Sequence, residues 1–292
     1  MVATSIALPT ELRRIQLRSR RLVTGDLLGQ YRSAFRGTGL VFSDLREYQP
    51  GDEIKQIHWK ATARTGTVFV KSYEEDRQLR IMLAVDTSPS MRSSWGHQSF
   101  SKAVEFCSLI GSLSQRGNDL LGVMTFAQTV EAYLPPKAGP KLCSRVLATL
   151  QQSPANASPK TDLGYACEHL SSSLRRTSIV FILSDFEGQL SREQLQRLCS
   201  RHDVVLVQIQ PPESSFLSAG LVSFTDAETG EQCMVDTSSS RVRTAWGEAL
   251  SRRRTATKIL ARECGADHIL ITDSPAAPLI ALMKERVRRT IR

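Results

Sequence analysis

From Gln78 onward the chain alternates short, mostly apolar runs with longer stretches whose apolar residues recur every three or four positions. The runs at 79–85, 120–126, 130–134, 178–183, 204–210 and 269–272 have strand length. Helical spacing fills the intervals at 99–115, 142–151, 163–174, 192–199, 242–263 and 277–289. In the first of these, Phe100, Ala103, Val104, Cys107, Ile110 and Leu113 form one core-facing stripe. Repeated strand–helix units predict an α/β fold, a doubly wound, mostly parallel sheet with helices on both faces. The two runs at 120–134 are close enough for a hairpin, and Gly265 suits a left-handed helix cap. A second hairpin, LVSFTD and EQCMVD around Glu228-Thr229-Gly230, interrupts the alternation near 211–240 as an insertion.

The first 76 residues have a different texture. One helix is expected over 9–33, with Leu12, Ile15, Leu22 and Leu28 set among arginines. From Gly37 the β-like runs GLVFSDLREY, IHWKATAR and TVFVKSYEED are divided by turn signals at 49–52 and 64–66. The expected organisation is therefore an N-terminal helix plus small β-rich unit over 1–76 and a sheet domain over 77–292. A chain of 292 residues is long enough for both.

In open sheets of this kind ligands bind beyond the carboxyl ends of the strands. Two carboxylates stand at such ends. The run LAVDTSPSM places Asp86, Ser88 and Ser90 directly after a strand, and LSDFEG places Asp185 after another. Thr161 opens a helix after the Ser-, Pro- and Asn-rich stretch 153–160. Taken alone, the first run could be an Asx turn or helix cap, a nucleophile site or a metal cradle. All five side chains are hard oxygen donors, which suits Mg²⁺ or Mn²⁺. A phosphatase using Asp86 as nucleophile would want a second aspartate two positions on, where Ser88 stands. Neither a GxSxG elbow nor a phosphate-binding GxxxxGK[ST] loop is present.

The six cysteines are scattered without a CxxC pair, so metal-ligand spacing is missing and reduced, structural thiols are expected. No run approaches the ~20 apolar residues of a spanning helix, and the first residues make a poor signal peptide, so a cytoplasmic location is expected. The net charge of +9 gathers in ELRRIQLRSRRL, SRRRTATK and KERVRRTIR. These are solvated helix faces or surfaces for an acidic partner or an anionic membrane; with aromatics at 6% and no accompanying motif, nucleic acid is the weakest reading.

The D-x-S-x-S of DTSPS, the TDL at 161–163 and the aspartate of LSDFEG together resemble the metal-ion-dependent adhesion site of von Willebrand factor A-type domains. The resemblance implies that Ser88, Ser90 and Thr161 reach the metal while Asp86 and Asp185 hold its waters. It implies further that the bound ion accepts a carboxylate from a protein partner. GTGLVFSDLREYQPGDEIKQIHWKATARTGTVFVKSYEED is similar to the signature of a bacterial family named domain of unknown function 58. Members carry this segment before an A-type domain and are commonly encoded beside MoxR-type AAA+ ATPases. His58 stands where members usually have an aspartate, and the two N-terminal membrane helices of many members have no counterpart here. The resemblance implies a metal-dependent adaptor acting with such an ATPase; a hydrolase or phosphotransferase using Asp86 is the alternative. Within REYQPGDEIKQIHWKATAR, Arg46, Glu47, Asp52 and Arg64 can pair across a Pro50-Gly51 turn, with Trp59 as apolar anchor. That unit is either self-stabilising or a partner-docking surface. His58 reads as a surface or hydrogen-bonded residue.

Overall fold

The computed structural model describes residues 9–35, 41–49, 52, 57–74, 78–92, 99–152, 161–188, 190–211, 220–225 and 231–291. The centre is a six-stranded sheet made of β3 (Arg80–Asp86), β4 (Leu120–Phe126), β5 (Val130–Lys137), β6 (Ile179–Ser184), β7 (Asp203–Ile209) and β10 (Asp267–Ile271), in the order β10-β7-β6-β3-β4-β5. All neighbours are parallel except β5, which returns antiparallel on β4. This is the doubly wound α/β sheet that the alternation predicts. Chain order reverses at β3: β4 and β5 lie on one side of it, and β6, β7 and β10 on the other.

Period-two alternation divides the core in two. Ile81, Leu83 and Val85 face one layer, packed by α5 (Ser99–Gly117), α6 (Leu142–Gln152) and α10 (Ala276–Ile291). Met82 and Ala84 face the other, covered by α7 (Leu163–Ser173), α8 (Arg192–Cys199) and α9 (Ser240–Cys264). Strands apolar on both faces require this double cover.

Two expectations need correction. The single helix over 9–33 is two helices, α1 (Thr10–Leu22) and α2 (Gly25–Ala34). The Thr24 side chain accepts the Leu27 N–H at 3.3 Å and starts α2. Arg116 of α5 meanwhile donates to the Val23 and Arg20 carbonyls that α1 leaves open. Both helices join the sheet core: Tyr31 is fully buried, and its hydroxyl donates to Asp119 at 2.8 Å. The other Asp119 oxygen accepts the Leu79 N–H at 2.9 Å, just before β3.

The run IHWKATAR is a helix rather than a strand, α3 (Trp59–Thr65). His58 Nδ1 accepts the Ala61 N–H at 3.1 Å as its cap, and Gly66 closes it at a φ of 75°. Around α3, β1 (Val41–Glu47) pairs antiparallel with β2 (Phe69–Glu74). Farther on, β8 (Leu221–Thr225) and β9 (Gln232–Asp236) form the expected inserted hairpin. Pro50-Gly51, the 153–160 stretch and the hairpin turn 228–230 lie outside the described residues. The six cysteines are free thiols. No helix among the described residues is long and apolar enough to cross a membrane.

Helix α9 positions part of the site. Its 25 residues span about 37 Å, against about 17 Å for the five residues of β10. It enters β10 through Gly265, at a φ of 76°, so its C-terminal end lies at the amino edge of the sheet. Its first half therefore projects past the carboxyl edge. At the amino edge Arg286 of α10 grips Asp203 with two hydrogen bonds of 2.5 and 2.8 Å and Asp267 with one of 2.7 Å. Its guanidinium also lies over the Phe35 ring, 4.6 Å from the centroid. Arg286→Ala is expected to cost about 2–3 kcal/mol in urea unfolding, below the full value for a buried pair because Asp203 is partly exposed. Arg286→Lys should recover only part of this, since lysine lacks the planar fork.

Candidate functional site

Asp86 ends β3 and Asp185 follows β6, the two adjacent strands at the switch point. Asp86 is fully buried, and both of its oxygens are engaged. Oδ1 accepts the Ser88 N–H at 2.9 Å, the contact of an Asx turn, while Oδ2 accepts the Ser184 hydroxyl at 2.6 Å. Ser88 Oγ lies 3.0 Å from Ser90 Oγ, and the Ser90 hydroxyl favours the charged form of Asp185. The two aspartate loops are thus stitched together through serine hydroxyls. Pro89 begins the short helix α4 (Pro89–Arg92), which fixes the approach of Ser90.

The Asp185 loop is strained. Phe186 has a φ of 55°, rare for a residue with a bulky side chain. Its ring is buried in the core, and its N–H donates to Ser184 Oγ at 3.0 Å, which together hold the conformation. The Glu187 N–H then donates to Asp185 Oδ1 at 3.0 Å. At Gly188 a Cβ would stand 3.1 Å from the Thr161 carbonyl, so a larger residue would push that carbonyl back by a few tenths of an ångström. The Asp162 N–H donates to Ala127 O at 3.0 Å, tying Thr161 to the end of β4. The Thr161 hydroxyl is buried with no hydrogen-bond partner among the described residues. A buried hydroxyl of this kind is ordinarily satisfied by a water, an ion or another polar group.

Three contributors went unassigned in the sequence. Ser184 was visible beside Asp185, but only the sheet register shows that it reaches across to Asp86. Thr87 lies behind the site; its hydroxyl is 2.9 Å from both Phe126 O and Glu131 Oε2. Arg253 of α9 pairs with Glu187 at the rim. It stands 66 residues from Glu187 inside a basic run, where no local signal distinguishes it.

The proposed N-terminal docking residues are spread over β1, α3 and the segment between them. Arg46 contributes its backbone to β1 opposite Val70, and Glu47 at the strand end is exposed. Asp52 Oδ2 accepts the Gln49 N–H at 2.9 Å, so it closes its own turn. Arg64 is exposed on α3. Trp59 is not the apolar anchor expected: it is 65% exposed, because the helical start at His58 turns its indole outward. Val70, fully buried, is the anchor instead.

Electrostatics set the two aspartates apart from ordinary strand ends. Burial, reinforced by the Asp185 charge, pushes the Asp86 carboxyl up to about 7 from its ordinary 3.8. Burial, then the Glu187 charge, pushes Asp185 up to about 6. A raised carboxyl value means that the folded state holds its proton more tightly than the unfolded chain. The resulting stabilisation is complete below 3.8 and lost as pH rises through the folded values. Asp86→Asn removes this term. In metal-free protein the melting temperature of Asp86→Asn should therefore overtake wild type as pH rises from about 5 to about 8. Parallel curves for the two proteins would show that no such carboxyl burden exists.

Comparison with known proteins places the chain. A family model described as "Protein of unknown function DUF58" matches residues 44–256. An uncharacterized protein of Mycobacterium tuberculosis is 28% identical over 289 residues, covering 96% of this chain and 86% of the relative; one from Mycobacterium bovis matches equally. Among solved structures, the conserved hypothetical protein BatB from Bacteroides thetaiotaomicron superposes with a TM-score of 0.48 at 16% identity, over 72% of this chain and 99% of that one. A von Willebrand factor type A protein from Catenulispora acidiphila gives 0.42 at 9% identity, over 77% and 44%. The family match spans most of the chain, including both aspartates and Thr161, and the protein belongs to the DUF58 family.

Proposed function

We propose that this protein is a non-enzymatic, metal-dependent adaptor that docks an acidic residue of a protein partner at the carboxyl edge of its sheet. The observation that carries the reading is the pairing of two buried, mutually repelling aspartates with an unpartnered buried hydroxyl at Thr161. A divalent cation resolves both: it offsets the carboxylate charges and gives the hydroxyl something to bind. The donors are all oxygens, as Mg²⁺ or Mn²⁺ prefers. Ser88, Ser90 and Thr161 would hold the ion, with Asp86 and Asp185 holding its waters. The ion would supply an electrophilic position for the partner's carboxylate.

The chain's own residues prepare that position. Ser184 orients Asp86, while Glu187 and Gly188 orient Asp185 and bring its loop onto Thr161. The alternative, hydrolysis or phosphotransfer through Asp86, fits less well. Its carboxylate is fully buried with both oxygens bonded, whereas a nucleophile must reach its substrate. A MoxR-type AAA+ ATPase is the partner that the family resemblance implies. Contact of the basic N-terminal helix with an anionic membrane surface would be compatible with this role.

Mg²⁺ should raise the melting temperature of wild type but not of the Asp86→Ala/Ser88→Ala double variant, and more at about pH 8 than at about pH 5, where protons compete for the carboxylates. Equal stabilisation of both proteins would remove the site. Capture of a purified MoxR-type ATPase should weaken in chelator and in Asp185→Ala. Phosphatase turnover lost in Asp86→Asn would instead establish the enzyme.

A further inference from the structure

The projecting half of α9 forms a wall beside the oxygen cluster. The buried positions Leu250, Thr257, Ala261 and Cys264 define the face that α9 turns toward the molecule. Arg253 lies on this face at the height of the carboxyl edge, where it pairs with Glu187, and the Glu187 N–H holds Asp185. One turn beyond Leu250 the same face continues as Trp246, which is 38% exposed. Tyr165 stands in the first turn of α7 just after Thr161 and is 42% exposed. Tryptophan, tyrosine and arginine are the residues that most often carry binding energy at protein interfaces.

Charge indicates what this surface takes. Residues 240–258 carry five arginines and one lysine against the single acid Glu248. Glu187 engages one nitrogen of Arg253, whose guanidinium has five N–H donors, and the side chain is 34% exposed. A second carboxylate can therefore share it. We infer that Arg253 and Trp246 read the sequence around the docked acid: the occupant is an extended acidic segment of a protein partner, with a second carboxylate for Arg253 and an apolar residue for Trp246. Arg253 and Trp246 are seven positions apart, a rise of about 10 Å along the helix, which an extended peptide covers in about three residues. The recognised segment thus carries an acid for the oxygen cluster, an acid beside it, and an apolar side chain about three residues farther on.

This inference rests on the docking role proposed above, and its test separates the two. The full chain is used to select from a displayed peptide library with one fixed aspartate and randomised flanks, in Mg²⁺ and in chelator. Wild type should enrich a second acid followed by an apolar residue. Arg253→Glu should replace the second acid by lysine or arginine and weaken a selected doubly acidic peptide by about ten-fold. Trp246→Ala should lose only the apolar preference. Both positions are partly exposed, and unchanged melting curves would show that the variants fold. Mg²⁺-dependent selection with the same flanks in wild type and Arg253→Glu overturns the inference and leaves the metal site standing. A flank switch that persists in chelator overturns the metal dependence and leaves the wall standing. No enrichment of acidic peptides by wild type overturns the acidic occupant outright.

Discussion

Asp86 is a carboxylate with no solvent access at the end of the central strand, and the site is organised around the cost of keeping it there. A charged group taken out of water must be paired, hydrogen-bonded or neutralised. Here Ser88 and Ser184 supply hydrogen bonds, yet Asp185 adds a second negative charge from the neighbouring strand. Arg253, whose charge acts on Asp185, is also engaged by Glu187. The arrangement costs the folded chain stability wherever both carboxyls are charged. Such local losses mark positions kept for function rather than stability.

The scaffold bears this cost because it is held elsewhere. Two continuous apolar layers cover the sheet, and Arg286 clamps the first residues of β7 and β10 at the amino edge, opposite the site. Helices α1 and α2 extend one layer through Tyr31, whose bond to Asp119 reaches the start of β3. Rigid cover at one edge leaves the loops of the other edge free to adopt strained forms, as Phe186 does.

Much of the sheet domain was legible in the sequence, because its strands are mostly apolar runs and its helices carry clear periodic stripes. The N-terminal region was harder to read. A break between two helices depends on Arg116, far away in sequence, taking the carbonyls that α1 exposes. IHWKATAR has a strand-like start, and its conversion to a helix depends on His58 serving as the cap. Trp59 reads as an anchor by composition, but its place at the first helical position turns it to solvent.

By itself the sequence determined the α/β alternation and the oxygen-bearing residues at strand ends, since both follow from local period and composition. It could not show which strands are neighbours. Only the tertiary structure decided that β3 and β6 lie side by side, so that Ser184 bonds Asp86 and the Asp185 charge adds to the burden on Asp86. It also decided that a basic helix long enough to overshoot the sheet brings Arg253 to the rim. Such contacts depend on strand order and helix length together, and neither is encoded in any short window of the chain.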